Sequence, residues 1–145
     1  MFKQILSALD TSENSINALD YAADLASREN ASLHIISVIE SITGYPVGIA
    51  FAYNEAHIKE MRKKYENLQA EQFERIKLAY PELEVTTEIS VGHPATEIVE
   101  SAQDVDLIIL GNRGQSRIAS WVLGSVAKEI VDSCTVSVLV VKSLC

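Results

Sequence analysis

The sequence predicts an α/β fold, a single parallel five-stranded sheet with helices on both faces. Three observations predict it. Short runs rich in β-branched residues alternate with longer amphipathic stretches along the whole chain. Two of those runs, 33–39 (LHIISVI) and 105–110 (VDLIIL), have almost no polar face, which suits strands covered on both sides. Helical patterns between successive strands favour right-handed crossovers and therefore parallel pairing. No internal repeat, low-complexity tract or linker breaks the 145 residues, so one domain over 1–145 is expected.

Residues 2–9 are apolar enough for a first strand. Thr11, Ser12 and Glu13 then offer capping hydroxyls and a first-turn acid. Ile16, Leu19, Ala22, Ala23 and Ala26 recur at helical spacing, predicting a helix from 13 to about 29. The run 33–39 is the second strand. The segment 41–53 (SITGYPVGIAFAY) is apolar but broken by Gly44, Pro46 and Gly48, so it reads as a loop. Its Ile42, Tyr45, Val47, Ile49 and Phe51 either fold onto the core or meet a partner.

A long helix is predicted from about 54 to 79, with Ile58, Met61, Tyr65, Leu68 and Ile76 as its buried stripe. Lys59, Arg62, Lys63 and Lys64 crowd its surface, but Glu55, Glu60, Glu66, Glu71 and Glu74 are interspersed. That mixture marks a solvated face rather than a nucleic-acid patch. Residues 83–91 (LEVTTEISV) form the third strand, Gly92-His93-Pro94 a turn, and 95–102 a short helix. After the fourth strand, 105–110, come a glycine-rich turn, a helix ending near 133, and a last strand at 136–141.

Twenty acidic side chains against twelve basic ones give a net charge of −8. A field of that sign repels phosphate backbones and anionic membranes, so neither a nucleic acid nor a membrane is expected as partner. A small anion is compatible with it, because backbone amides hold phosphate without net positive charge. No run approaches the roughly 18 apolar residues of a membrane span, and no signal-peptide pattern is read, which points to the cytoplasm. Cys134 and Cys145 lack a CxxC spacing and read as free thiols. His34, His57 and His93 are scattered over a strand, a helix start and a turn, so no metal site is expected.

In a doubly wound sheet ligands bind at the carboxyl ends of strands, where the strand order reverses. The fourth strand runs there into Gly111-Asn112-Arg113-Gly114, and nine residues after Gly114 come Gly124 and Ser125, opening a helix. Glycines let a ligand approach the backbone without a Cβ in the way. The first turn of a helix adds unpaired N–H groups and a partial positive charge, and Ser125 adds a hydroxyl. The array reads as a phosphate site. The plainer alternative is that Gly111 and Gly114 shape a tight turn while Gly124 relieves helix–sheet packing.

G-x2-G, nine residues, then G-S resembles the signature of the ATP-binding branch of the universal stress proteins, and Gly111, Gly114, Gly124 and Ser125 match it without a gap. The resemblance extends over nearly the whole chain, through 5–15 (ILSALDTSENS), 91–95 (VGHPA), 123–127 (LGSVA) and 138–142 (VLVVK). It implies a Rossmann-like sheet of the adenine nucleotide alpha hydrolase type. It also implies that Asp10 lies by ribose and adenine, with Ala8 on the same rim, and that Val38 meets the base through its backbone. Ribose and phosphates would fall to Gly111, Asn112, Arg113, Gly114, Gln115, Gly124, Ser125 and Val126. The ligand so implied is ATP, or ADP or AMP, with Mg²⁺ accompanying ATP, and the assembly a homodimer through the last strand.

Asp10 also suits a helix cap, Val38 would be buried in any parallel strand, and Arg113 suits solvent as well as phosphate. His93 reads as an exposed turn residue. Neither a G-x4-G-K-[ST] loop, a G-x-G-x-x-G fingerprint, a G-x-S-x-G elbow nor an H-E-x-x-H helix is present, so no catalytic residue is assigned. The expectation is a nucleotide-binding regulatory or stress-response protein. A slow ATPase or phosphotransferase using Asp10 and Ser125, and a nucleotide-free interaction protein, are the alternatives.

Overall fold

A computed structural model describes residues 1–41, 47–112 and 123–142, with the backbone alone at 47–53. Five strands, β1 (Gln4–Ala8), β2 (Ser32–Ile39), β3 (Val85–Val91), β4 (Leu107–Gly111) and β5 (Ser137–Val141), alternate with four helices. These are α1 (Glu13–Glu29), α2 (Val47–Ala79), α3 (Pro94–Ser101) and α4 (Ser125–Ser133). Every strand pair is parallel, and the sheet order is β3-β2-β1-β4-β5. The α/β class and parallel sheet expected from the sequence are what the chain forms.

Strand parity divides the core. Ile5, Leu9, Leu33, Ile35, Leu107 and Ile109 pack with Ala18, Leu19, Ala22, Ala23 and Ala26 of α1 and Ile76 of α2. Leu6, Ile36, Ile108 and Leu110 point the other way, onto Ala95 and Ile98 of α3 and Ala127 and Ile130 of α4. The alternation is the period-two geometry of a strand, and the four alanines let α1 lie close to the sheet. Burying one such isoleucine or leucine contributes about 1.5–3 kcal/mol.

Local signals set the ends of α1. The Ser12 hydroxyl accepts from the Ser15 N–H at 3.2 Å as N-cap. At the other end Asn30 takes φ 54°, the left-handed conformation, and Ala31 N–H reaches back to the Ala26 carbonyl at 2.8 Å. Helix α2 departs from expectation, because it begins at Val47 rather than near Asn54. A single glycine, Gly48, costs a helix only about 1 kcal/mol relative to alanine and does not stop it. Residues 42–46 of the expected loop lie outside the described residues. The lysines and arginine at 59 and 62–64 are exposed beside exposed glutamates, the solvated face expected of them.

After β1 the chain moves to β2 and β3 on one side, and after β3 it crosses to β4 and β5 on the other. The strand order therefore reverses between β1 and β4, and a crevice opens there at the carboxyl end of the sheet.

Candidate functional site

The first wall of that crevice is the exit of β1. Ser12 N–H donates to Asp10 Oδ1 at 2.8 Å, and the Ser12 hydroxyl makes a short hydrogen bond to the same oxygen. Ser15 Oγ accepts from Asp10 N–H at 3.0 Å and contacts the Asp10 carbonyl at 2.9 Å. Ser12, not Asp10, is therefore the helix cap. Asp10 instead closes an Asx-type turn on Ser12 with one carboxylate oxygen, while its other oxygen, Oδ2, accepts none of these bonds. The side chain is half-buried and lines the crevice.

The second wall is the end of β2. Leu9 N–H donates to the Ile36 carbonyl, whereas Leu33 N–H donates to Glu84 and Gly92 N–H to the Ile39 carbonyl. Even-numbered residues of β2 thus direct their backbone groups at β1, and odd-numbered ones at β3. The β1–β2 register ends at Ala8–Ile36, while β2–β3 pairing runs on to Ile39–Val91. The N–H and C=O of Val38 consequently face the space that β1 has left. A donor and an acceptor side by side on a strand edge that β1 no longer covers suit the edge of a heterocyclic base.

The third wall joins β4 to α4. Gly111 pairs with Val141 at the end of the sheet. Asn112 is fully buried, its N–H donates to the Val141 carbonyl at 3.1 Å, and its carbonyl accepts from Gly124 N–H. That last bond ties the start of α4 to the end of β4. Gly124 is the N-cap of α4, with no side-chain cap, so the N–H groups of Ser125, Val126 and Ala127 open the helix without an intrahelical partner. They carry the positive end of the helix dipole. Arg113, Gly114 and Gln115 lie outside the described residues.

One cavity of about 560 Å³ brings these walls together. Ala8, Asp10, Val38, Gly111, Gly124, Ser125 and Val126 all line it. Sequence reasoning missed its far side: Glu40, and His57, Met61 and Tyr65 of α2, with His57 Nε2 hydrogen-bonded to the Glu40 carbonyl at 3.1 Å. Met61 and Tyr65 did carry a signal, their place on the apolar stripe of α2, which equally suits core. His93 is not in the lining, and its Nε2 pairs with both carboxylate oxygens of Glu129 at 2.9 Å across α3 and α4.

The volume lies within the roughly 300–1,000 Å³ of small-molecule sites and admits an adenine nucleotide. The donor set fits as well, with a carboxylate for sugar hydroxyls, a strand edge for the base and helix-start amides for phosphate. Among the described lining residues the ionisable groups are Asp10, Glu40, His57 and Tyr65, so the amides of α4 are the main described attraction for an anion. No cluster of three or more His, Cys, Asp or Glu suited to a metal occurs among the described residues. No described helix is long and apolar enough to cross a membrane.

Comparison with known proteins follows the same lines. The model of the universal stress protein family matches residues 1–142. Universal stress protein YxiE of Bacillus subtilis is 35% identical over 149 residues, spanning 98% of this chain and 100% of that one. Universal stress protein MJ0577 of Methanocaldococcus jannaschii is 32% identical over 161 residues, 98% of this chain and 96% of that one. The solved MJ0577 structure superposes with a TM-score of 0.76 at 28% identity, covering 100% of this chain and 99% of that one. A universal stress protein solved in complex with cAMP superposes at 0.72 with 26% identity, covering 97% of each chain. The family model over nearly the whole chain and relatives above 30% identity along its length show that the chain belongs to the universal stress protein family.

Proposed function

We propose that this chain binds an adenine nucleotide, ATP or its ADP or AMP counterpart, in the crevice between β1 and β4, and acts as a cytoplasmic regulatory or stress-response protein. The observation that carries the reading is the convergence of three unlike groups on one cavity: the Asp10 carboxylate, the Val38 strand edge and the open N-terminus of α4. The cAMP complex of a relative at 26% identity supports the ligand class. In this reading Asp10 and Ala8 border ribose and adenine, and Val38 reads the base. Gly111, Gly124, Ser125 and Val126, with Arg113, Gly114 and Gln115, take ribose and phosphates, and the buried Asn112 supports them by tying the start of α4 to β4. ATP brings Mg²⁺ with it. Nucleotide occupancy would bias conformation or partner choice, and two copies would pair through β5.

Gly124→Val tests the site. Gly124 has φ −65° and ψ 159°, a conformation open to any residue, so the substitution obstructs the cavity without straining the backbone. Gly124 is buried, so circular dichroism first establishes that the variant folds, and calorimetric titration should then show ATP affinity falling at least about tenfold. Unchanged affinity would remove α4 from the site.

A further inference from the structure

The end of β1 leaves the sheet in two steps, and Leu9 is where they part. Its N–H still donates to Ile36 at 2.8 Å, as the ladder requires, but its carbonyl accepts from the Ser37 hydroxyl at 2.7 Å. In a parallel ladder extended by one rung, that carbonyl would accept from the N–H of Val38. Ser37 is fully buried on the sheet face covered by α2. There Gln69, itself buried, donates Nε2 to Ser37 Oγ at 3.0 Å and to the Glu88 carbonyl at 2.7 Å. A hydroxyl has one proton, and a Gln69 donor on its oxygen leaves that proton committed to Leu9. A carbonyl that accepts from a side chain on this face is drawn out of the plane of the ladder.

We propose that Ser37 and Gln69 are positioning residues: by holding the Leu9 carbonyl toward α2 they stop the ladder one rung short and keep the Val38 N–H open to a ligand. The geometry stands by itself, and its consequence for binding rests on the nucleotide reading above. An N–H beside a C=O selects a ring nitrogen beside an amino group, which adenine presents. Hypoxanthine has a carbonyl in place of that amino group and is disfavoured. Ser37 and Gln69 thereby contribute to base selection without touching the base.

Amide hydrogen exchange, followed residue by residue by NMR on the whole chain, tests this directly. Without nucleotide, the Val38 amide should exchange at least about tenfold faster than that of Ile36, which is inside the β1–β2 register. In Ser37→Ala the Leu9 carbonyl returns to the ladder, and Val38 exchange should slow about tenfold. A merely structural loss would move exchange the other way, because a loosened sheet exchanges faster. The same variant should bind ATP roughly five- to tenfold more weakly and lose part of its preference for ATP over ITP. Gln69→Leu should shift Val38 in the same direction by less. Equal exchange at Val38 and Ile36 in the parent protein, or no slowing in Ser37→Ala, overturns the proposal. The predicted exchange pattern with no ATP binding in the parent protein would uphold the positioning geometry and overturn the nucleotide reading instead.

Discussion

Gly111 lies so close to Asn14 that a Cβ built on it would come to 3.0 Å from the carbonyl carbon, carbonyl oxygen and Cβ of that residue. Two of those atoms are backbone, in the first turn of α1, and cannot move without shifting the helix. Gly111 is therefore required by the close approach of α1 to β4. Positive φ is not the reason, since Gly92 is the described glycine with that conformation. The phosphate reading and the packing reading of this glycine are compatible, because the same approach brings the Asp10 turn beside α4.

Gly111→Ala should destabilise the fold by about 1–3 kcal/mol, the usual cost of forcing a methyl into a filled space. Urea unfolding monitored by circular dichroism measures it. A midpoint equal to that of the parent protein would mean that α1 yields freely.

Asp10 separates two roles that one substitution would blur. Asp10→Asn keeps an oxygen to accept from Ser12 N–H and should leave the melting temperature nearly unchanged. Both Asp10→Asn and Asp10→Ala should lower ATP affinity about tenfold if the carboxylate takes sugar hydroxyls. Titration calorimetry of the two variants distinguishes binding from folding.

Asp106 ties the start of β1 to the start of β4, its Oδ2 accepting from Lys3 N–H at 2.7 Å and Gln4 N–H at 2.9 Å. The Lys3 amide, and then the Gln4 amide, hold its carboxyl below the ordinary carboxylate value. A depressed folded pKa gives stability that is present above the unfolded value, about 3.9, and is lost as pH falls through the lower folded value. Asp106→Asn should therefore unfold at lower urea than the parent protein at pH 7, with the gap narrowing below about pH 4. A gap independent of pH would contradict that assignment.

The place of β5 at the end of the sheet order, with no further strand beside it among the described residues, carries the homodimer proposal. Leu139 of this edge strand is 40% exposed, an apolar side chain that a bare sheet edge does not favour. The parent protein should sediment as a dimer and Leu139→Glu as a folded monomer in analytical ultracentrifugation.

Much of this fold is legible in the sequence because each strand is either continuously apolar or bounded by turn residues. Ser12 and Ala18 to Ala26 announce α1 by cap and spacing alone. The start of α2 is not legible, since Gly44, Pro46 and Gly48 give the signal of a loop, whereas the helix begins at Val47 and runs through Gly48. Gln69 and Gln72 are buried although polar, which composition hides. Their spacing between Tyr65 and Ile76 places them on the buried stripe, and that was the available clue. In the site, the glycine spacing points to α4 and to the exit of β4. The contact of Gly111 with Asn14, and the parity that turns Val38 toward the crevice, depend on pairing between distant segments and need the sheet to be seen.

The most direct measurement is mass spectrometry of the small molecules released when the purified protein is denatured, paired with equilibrium binding of ATP, ADP and AMP. An adenine nucleotide approaching one per chain is expected, or saturable binding where purification has removed it. No released nucleotide, together with no binding of any of the three at millimolar concentration, would contradict it.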